Sequence, residues 1–555
     1  MTGVGVSQRE NASGSVPSQR GFVAPSRIPS PADGTAAATV RACDHTAGEA
    51  TDVNATDVTA TDSSRPDSNQ PGSNRPGSNR PNSKRPNSKR PRHSTPPRAQ
   101  RLSAAFALLL CATQAAAAEP VAARPGANAT EPRASGSCAI GSYRLADGRP
   151  LDIGPGAEGQ LRWRGDDGRT GALAPAAHGA WISTVGWTGR ADGHRVRFDC
   201  AHDRLRFDGT PGQRVRTIQR DTRFRGSGVE LAGRLTLPPG EGRVPLVVLV
   251  HGAEHDSALQ RYSLQREFAN AGIATFVYDK RGTGASGGRY TQDYLTLAVD
   301  AVHALDEARR LGGARIGRVG YQGGSQGGWV APLAARIAPV DFVVVGFGLA
   351  VSPLEEDREA IAFDLRRAGF GDDAAAMAGA MAIADATAAL IDSGFAEGYE
   401  RLAAVKAQYA QAPWYASVRG NFTWYLLGND ADTIRRDAPG LVRGVPAHYD
   451  PMPVLRGLDT PQLWALGGED RDAPPGETLR RLAALQRAGK PIASAVFARA
   501  DHGLYEFETA ADGERVSTRQ PDGYFRLMAD FILGKTLQPR YGEAAVCASA
   551  ACAGG

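Results

Sequence analysis

The run Val244 to Val250, VPLVVLV, is apolar at every position, with Pro245 near its start and Gly252 just past its end. A strand with no polar side has to be covered on both faces, as an inner strand of a parallel sheet is. The run GIATFVYD, 272–279, reads as another such strand, and RIGRVGYQ, 315–322, as a further strand leading into Ser325. Between them Leu295, Val299, Val302 and Leu305 recur at helical spacing. Buried strands alternating with helices predict a doubly wound α/β domain, which we place at 224–540.

The chain ahead of it divides by composition. Residues 1–97 are rich in Ser, Pro, Asn, Arg and Gly and nearly free of aromatic residues, so this stretch is expected to stay disordered. Within it SNQPGSNRPGSNRPNSKRPNSKRPR repeats every five residues, and its prolines block helix and sheet ladders alike. The basic end of this repeat reads as a solvated tail. A net charge of +5 over 555 residues is too small to suggest a nucleic-acid partner.

Residues 98–118 combine Arg98 and Arg101, the apolar stretch Leu102 to Thr113, and the small residues Ala116, Ala117 and Ala118. That order is the order of a secretory signal, and the apolar part is too short for stable membrane insertion. Export to the periplasm or the medium is therefore expected, with the mature chain beginning near Glu119. A signal so far from Met1 implies a natural start downstream of it. Of the cysteines left after cleavage, Cys138, Cys200, Cys547 and Cys552, the pair Cys138 and Cys200 is favoured because it brackets a small domain. That domain, 119–223, reads as short β-prone runs separated by Asp147-Gly148, Asp167-Gly168 and Asp192-Gly193, which are hairpin signals. Trp163, Trp181 and Trp187 read as its core or interface residues. Residues 541–555 read as a tail.

The candidate chemistry lies in VGYQGGSQGGWVAPLAA, 319–335, where Ser325 stands between glycine pairs after an apolar run and before a helix-like one. A nucleophilic serine needs a histidine base, a carboxylate to orient that base, and backbone N–H groups for the developing oxyanion. Downstream, the strand-like QLWALGG leads to Glu469 and Asp470, and ASAVFARA leads to Asp501, His502 and Gly503. Serine, acid and histidine thus follow in a usable order, with Ser325, Asp470 and His502 as candidate catalytic residues and Asp472 as the local rival for the acid. The candidate oxyanion donors are the backbone N–H groups of Gln326, just after the serine, and of Ala253, after the VVLV strand.

Together VVLVHGAEHD, FVYDKRGTGASGG, GYQGGSQGGW, HYDPMPVL, ALGGEDRDAPP and ADHGLYEF resemble the α/β-hydrolase superfamily, near its secreted esterase-like, serine-aminopeptidase and dienelactone-hydrolase members. The resemblance spans about 229–537 and leaves out the tail and the small β domain. It implies a Ser325, Asp470, His502 triad, no cofactor and no metal, and a small-molecule ester as the substrate. Peptide hydrolysis is the main rival, since Gly-Gly-Ser-Gln-Gly-Gly also resembles the serine motif of oligopeptidases. Thioester cleavage and a non-catalytic binding protein are the remaining alternatives. The oligomeric state is not legible.

Two other motifs compete. Gly282-Thr-Gly284-Ala-Ser-Gly287 fits a dinucleotide fingerprint, but Asp279, Lys280 and Arg281 follow the strand first and the helix begins only near Thr291. His251-Gly-Ala-Glu254-His255 fits a zinc-protease pattern, yet His251 ends a strand and is followed by glycine, whereas that pattern needs a helix. Between 348 and 444 the strand–helix rhythm stops and alanine-rich helical segments read as a cap. Phe347, Trp414, Phe422, Trp424 and Tyr425 are its candidate pocket rings, and Arg358 and Arg366 its candidate acid-binding groups.

Overall fold

A computed structural model describes residues 136–157 and 159–548. The low-complexity and signal-like segments, and the proposed start at Glu119, lie outside the described residues.

Eight short strands close into a barrel: β1 (Gly141–Leu145), β2 (Pro150–Pro155), β3 (Leu161–Gly165), β4 (Thr170–Pro175), β5 (Ala180–Thr184), β6 (Ala191–Asp199), β7 (Arg204–Phe207) and β8 (Thr210–Arg214). Alternate residues fill its interior, Tyr143 and Leu145 from β1, Leu151 and Ile153 from β2, Leu161 and Trp163 from β3. Cys138 and Cys200 are joined by a disulfide. Asp147-Gly148 and Asp167-Gly168 make turns as expected, but Asp192-Gly193 does not. It lies inside β6, where the register with β5 slips, and Asp192 accepts the Ser183 hydroxyl instead of closing a hairpin. The tight turn falls at Asp208-Gly209, both at positive φ.

The ten-stranded sheet comprises β9 (Ile218–Arg225), β10 (Glu230–Leu237), β11 (Val244–Val250), β12 (Ala274–Tyr278), β13 (Ile316–Gly324), β14 (Phe342–Gly346), β15 (Gln462–Gly467), β16 (Ile492–Phe497), and the late β20 (Arg540–Tyr541) and β21 (Ala544–Cys547). Its order is β20-β21-β16-β15-β14-β13-β11-β12-β10-β9, parallel from β12 through β16 and antiparallel at both edges. The helices are α1 (Ala258–Arg261), α2 (Leu264–Asn270), α3 (Tyr294–Gly312), α4 (Gly327–Ile337), α5 (Pro353–Arg367), α6 (Ala374–Asp392), α7 (Tyr399–Tyr409), α8 (Thr423–Gly428), α9 (Ala431–Leu441), α10 (Met452–Arg456), α11 (Pro475–Arg487) and α12 (Tyr524–Ile532). The two faces of the sheet carry separate cores. Leu246, Val248 and Val250 of β11 look toward α3 and α4, and Val247 and Leu249 toward α2 and α12. This is the α/β-hydrolase architecture with a helical insertion, α5 to α9, between β14 and β15.

Three expectations need correction. The boundary at 223/224 cuts β9, which pairs with β10 along its whole length and belongs to the large sheet. The tail at 541–555 begins too early, because Tyr541 and Ala544 are buried and β21 pairs with β16. Helix α3 starts at Tyr294, capped by Asp293, and it buries Leu297, Ala298, Ala301, Ala304 and Leu305 while Leu295 is exposed. Its alanines allow a close approach to α4, so the inner face carries small residues beside Leu297 and the expected Leu305, while the expected Leu295 lies off it.

Candidate active site

Ser325 sits between the end of β13 and the start of α4 with φ of +52°, left-handed backbone that costs a non-glycine residue about 1–3 kcal/mol. The turn is held by Ser325 N–H on the Gly346 carbonyl, 3.1 Å, and by Gly328 N–H on the Ser325 carbonyl, 2.7 Å. A strained strand-to-helix turn projects the side chain out of the sheet's edge. His502 Nε2 lies 3.1 Å from Ser325 Oγ, and His502 Nδ1 lies 3.1 Å from each oxygen of Asp470. Asp470 is fully buried. Its Oδ1 also accepts the N–H groups of Ala473, 2.7 Å, and Asp472, 3.1 Å. In the neutral imidazole, with the carboxylate as acceptor, the Nδ1 proton faces Asp470 and Nε2 is left free to accept from Ser325.

The loops meet because Gly467 and Gly468 carry no side chain. A Cβ there would stand 2.5 Å from the Ala500 carbonyl oxygen and 2.6 Å from that of Ala498. The acid loop can therefore lie directly on the histidine loop, which begins after the short strand β17 (Ala500–Asp501). Asp472 lies beside the pair, but no hydrogen bond between its carboxylate and His502 is described.

The charges around His502 are unbalanced. Burial lowers its proton affinity, but Asp470, with Asp472 and Glu356 behind it, raises it to about 10. Burial pushes Asp472 up to about 6, and Glu356, on α5, well above the usual carboxylate range. Glu356 is 6% exposed, and no hydrogen bond or ion pair to its carboxylate is described. Sequence reasoning missed it, since one glutamate in a cap helix carries no local signal.

The oxyanion candidates are both buried, and no partner for the N–H of Ala253 or Gln326 is described. The HGAEH loop is fixed from behind. Lys280 Nζ, itself buried, donates to the Gly252 carbonyl at 2.7 Å, and the Tyr290 hydroxyl donates to the Ala253 carbonyl at 2.6 Å. Gly252 N–H donates to the Tyr262 hydroxyl, which in turn donates to Glu254. Burial favours the neutral acid at Glu254, but His251 and Lys280 outweigh it and hold the carboxyl well below its ordinary range. His251 Nδ1 stands 3.0 Å from Glu254 without hydrogen-bond alignment, while His255 stacks on Tyr290, centroids 3.7 Å apart. The two histidines of the H-x-x-E-H pattern thus face different partners, and among the described residues no three His, Cys, Asp or Glu side chains converge as metal donors. The glycines of 282–287 close a turn over Asp279, through Gly282 N–H on the Gly287 carbonyl and Ala285 N–H on Asp279, well before α3 begins.

Of the candidate pocket rings, Phe347 stands edge-on to His502, centroids 5.1 Å apart. Trp414 is buried in the core of the cap, and Phe422 lines a separate cap cavity of about 380 Å³ with Phe395 and Val442. Trp424 and Tyr425 meet edge to face. Arg358 pairs with Asp385 on the cap surface, and Arg366 meets no acid among the described residues.

Residues 227–426, less than half of the chain, match the family described as X-Pro dipeptidyl-peptidase (S15 family). The curated esterase FrsA of Enterobacter sp. (strain 638) is 33% identical over 113 residues, 20% of this chain and 26% of the relative. The chain therefore spans about a quarter of that relative's length. The chain belongs to the α/β-hydrolase superfamily. Within it, an esterase of Pyrococcus furiosus aligns at 14% identity and a TM-score of 0.34, over 52% of this chain and 84% of its own. The acylaminoacyl peptidase of Pyrococcus horikoshii aligns at 15% identity and a TM-score of 0.35, over 70% and 57%. Sequence reasoning brought out the three residues that meet at the elbow. It did not bring out Lys280, Tyr262 and Tyr290, which hold the HGAEH loop. Lys280 carried one signal, a lysine directly after a fully buried strand, in YDKRG.

Proposed function

We propose that the protein is a serine hydrolase that cleaves carboxylic esters through an acyl-enzyme on Ser325. The observation that carries this reading is the hydrogen-bond chain from Ser325 Oγ through both ring nitrogens of His502 to Asp470. In the proposed cycle His502 Nε2 takes the hydroxyl proton as Oγ attacks the carbonyl carbon, and Asp470 stabilises the imidazolium. The N–H groups of Ala253 and Gln326 receive the oxyanion. Collapse of the intermediate breaks the ester C–O bond, and His502 returns the proton to the departing alcohol. A water then attacks the acyl group with His502 again as base, releasing the acid and the free serine.

Peptide or aminoacyl-amide cleavage is the second reading, and one observation favours it. Glu356 is a buried carboxyl group without a described partner, its burial favouring the neutral acid, and a substrate ammonium group beside it would favour the ionised form and pair with it. The names of the relatives divide the same way, a peptidase for the matching family and an esterase for the curated protein.

Export belongs to the same proposal. It is supported by the basic, apolar and small-residue order of 98–118 and by the Cys138–Cys200 disulfide. It also argues against acyl-CoA thioesters, which are cytosolic.

The test is a panel of p-nitrophenyl esters, aminoacyl-anilides and acyl thioesters, with wild type and Ser325→Ala. Ester turnover lost in Ser325→Ala, with the variant still folded, supports the proposal. Anilides cleaved faster than esters, and slowed by Glu356→Gln, establish the peptidase reading. No turnover of any substrate leaves a hydrolase-fold binding protein.

A further inference from the structure

Among the described residues the barrel contributes none to the candidate active site, yet it touches the element that carries His502. After β17 the chain forms β18 (Tyr505–Thr509) and β19 (Arg515–Arg519), and these three strands make a small sheet of their own, separate from the ten-stranded one. An isolated three-stranded sheet bearing a residue that must be held to a fraction of an ångström needs support from outside.

The barrel supplies it. Trp187 N–H donates to the Ser517 carbonyl at 2.9 Å, Gln520 N–H donates to the Gly168 carbonyl at 2.9 Å, and Arg519 donates to the Asp167 carbonyl at 2.5 Å. Arg169 and Arg519 form an antiparallel bridge, so the barrel rim continues the small sheet at its β19 edge. Gly186 makes the approach possible. It has φ of +49°, and a Cβ there would stand 2.5 Å from the Ser517 carbonyl oxygen.

Side chains tighten the seam. The Trp187 ring meets Tyr505 edge to face, centroids 4.9 Å apart. Its other contact is the buried Arg162 guanidinium, 3.7 Å from the ring centroid and hydrogen-bonded to the Gly186 carbonyl at 3.0 Å. Tyr505 pairs directly with Asp501, the residue before His502. From the same sheet Arg515 reaches Asp501 at 2.6 Å and the Glu469 carbonyl at 2.7 Å, tying it to the acid loop as well.

We propose that the barrel is the positioning element for the candidate catalytic histidine, gripping the β17–β19 sheet, with Trp187 as the positioning residue that acts on His502 through Tyr505 and Asp501. Trp187 touches no reacting atom. The inference rests on the reading of Ser325 and His502 as nucleophile and base.

The test uses the full chain and a fluorophosphonate probe, whose rate of attachment to Ser325 reports activation by His502 without assuming a substrate. Rates are normalised to folded protein by near-ultraviolet circular dichroism. Trp187→Ala is expected to slow labelling about 10- to 100-fold, the cost of misplacing a catalytic group by about 1 Å, and to move the pKa of its acid limb. Trp187→Phe, which keeps an edge-to-face contact with Tyr505, is expected to label within about threefold of wild type. On any ester that is turned over, kcat should fall while KM stays within about threefold. Labelling by Trp187→Ala at the wild-type rate per folded molecule, with an unchanged pH profile, overturns the positioning role and leaves the Ser325 reading standing. Failure of the wild type to label, or labelling that persists in Ser325→Ala, overturns that reading and this inference with it.

Discussion

Replacing Asp470 and Asp472 by asparagine, one at a time, separates an acid that orients the base from one that only adds charge. In Asp470→Asn the two backbone N–H groups that now bind Oδ1 would hold the amide oxygen, since only oxygen can accept from both. The amide nitrogen then takes the place of Oδ2, 3.1 Å from His502 Nδ1. It donates there, and the amide oxygen, although also 3.1 Å from Nδ1, already accepts two backbone N–H groups, so the imidazole proton is driven to Nε2, the atom that must accept from Ser325. The imidazolium also loses a carboxylate in direct contact, worth about 4 kcal/mol at an effective dielectric constant of about 20. That loss is a factor of about 10³ in rate, and the wrong tautomer brings the expected fall in kcat to about 10⁴.

Asp472→Asn changes no described hydrogen bond to His502 and acts through charge alone. Its cost is expected to stay under about tenfold, near one pKa unit of interaction. The sign of its pH effect is also set. Asp472 raises the proton affinity of His502, so its neutralisation lowers the pKa of the base and moves the acid limb of the rate profile to lower pH. The assay is kcat and kcat/KM on a p-nitrophenyl ester from about pH 5 to about pH 10. Equal losses in the two variants, or Asp470→Asn within about tenfold of wild type, would refute the assignment.

In the wild type the raised proton affinity of His502 should place the acid limb of kcat/KM above the ordinary imidazole range, toward about 10, so activity falls as pH drops from there toward neutrality; a limb at or below about 6.5 contradicts the charge balance described for the site. Activity should survive strong chelation, and loss in chelator with recovery on added zinc would move the chemistry from Ser325 to the H-x-x-E-H residues. Cys138→Ser opens a loop of 62 residues and should lower barrel stability by about 2–4 kcal/mol in denaturant unfolding, with no change expected only if the thiols are reduced in the working protein. Protein recovered from its native host should begin near Glu119 by N-terminal sequencing, and an intact Met1 form in the cytoplasm would end the proposal of export.

The parts legible in the sequence are those with local causes. Val244 to Val250 has no polar side, so it can only be an inner strand, and it lies buried between two cores. The glycines around Ser325 announce a sharp turn because a bulkier neighbour would collide there, and the order of serine, acid and histidine follows from which strands end in polar loops. Periodicity was less reliable where residue size mattered. The inner face of α3 is lined by alanines, and the expected Leu295 points outward. Composition also misplaced both ends of the large domain, since β9 is mostly polar and exposed and is a strand only because β10 pairs with it.

Strand-end position already put Asp470 ahead of Asp472 in the sequence, but only the tertiary structure brings one of the two carboxylates against the crossing histidine loop, and it is that of Asp470. The tertiary structure alone brought Glu356 from the cap to the neighbourhood of His502. The seam between the barrel and the histidine sheet is its largest addition. Arg190 and Glu508 pair across 318 residues of chain, and Arg519 and Asp167 across 352. Contacts between residues that far apart leave no periodicity, spacing or turn chemistry in either segment, since each becomes favourable only after both domains have formed their own cores.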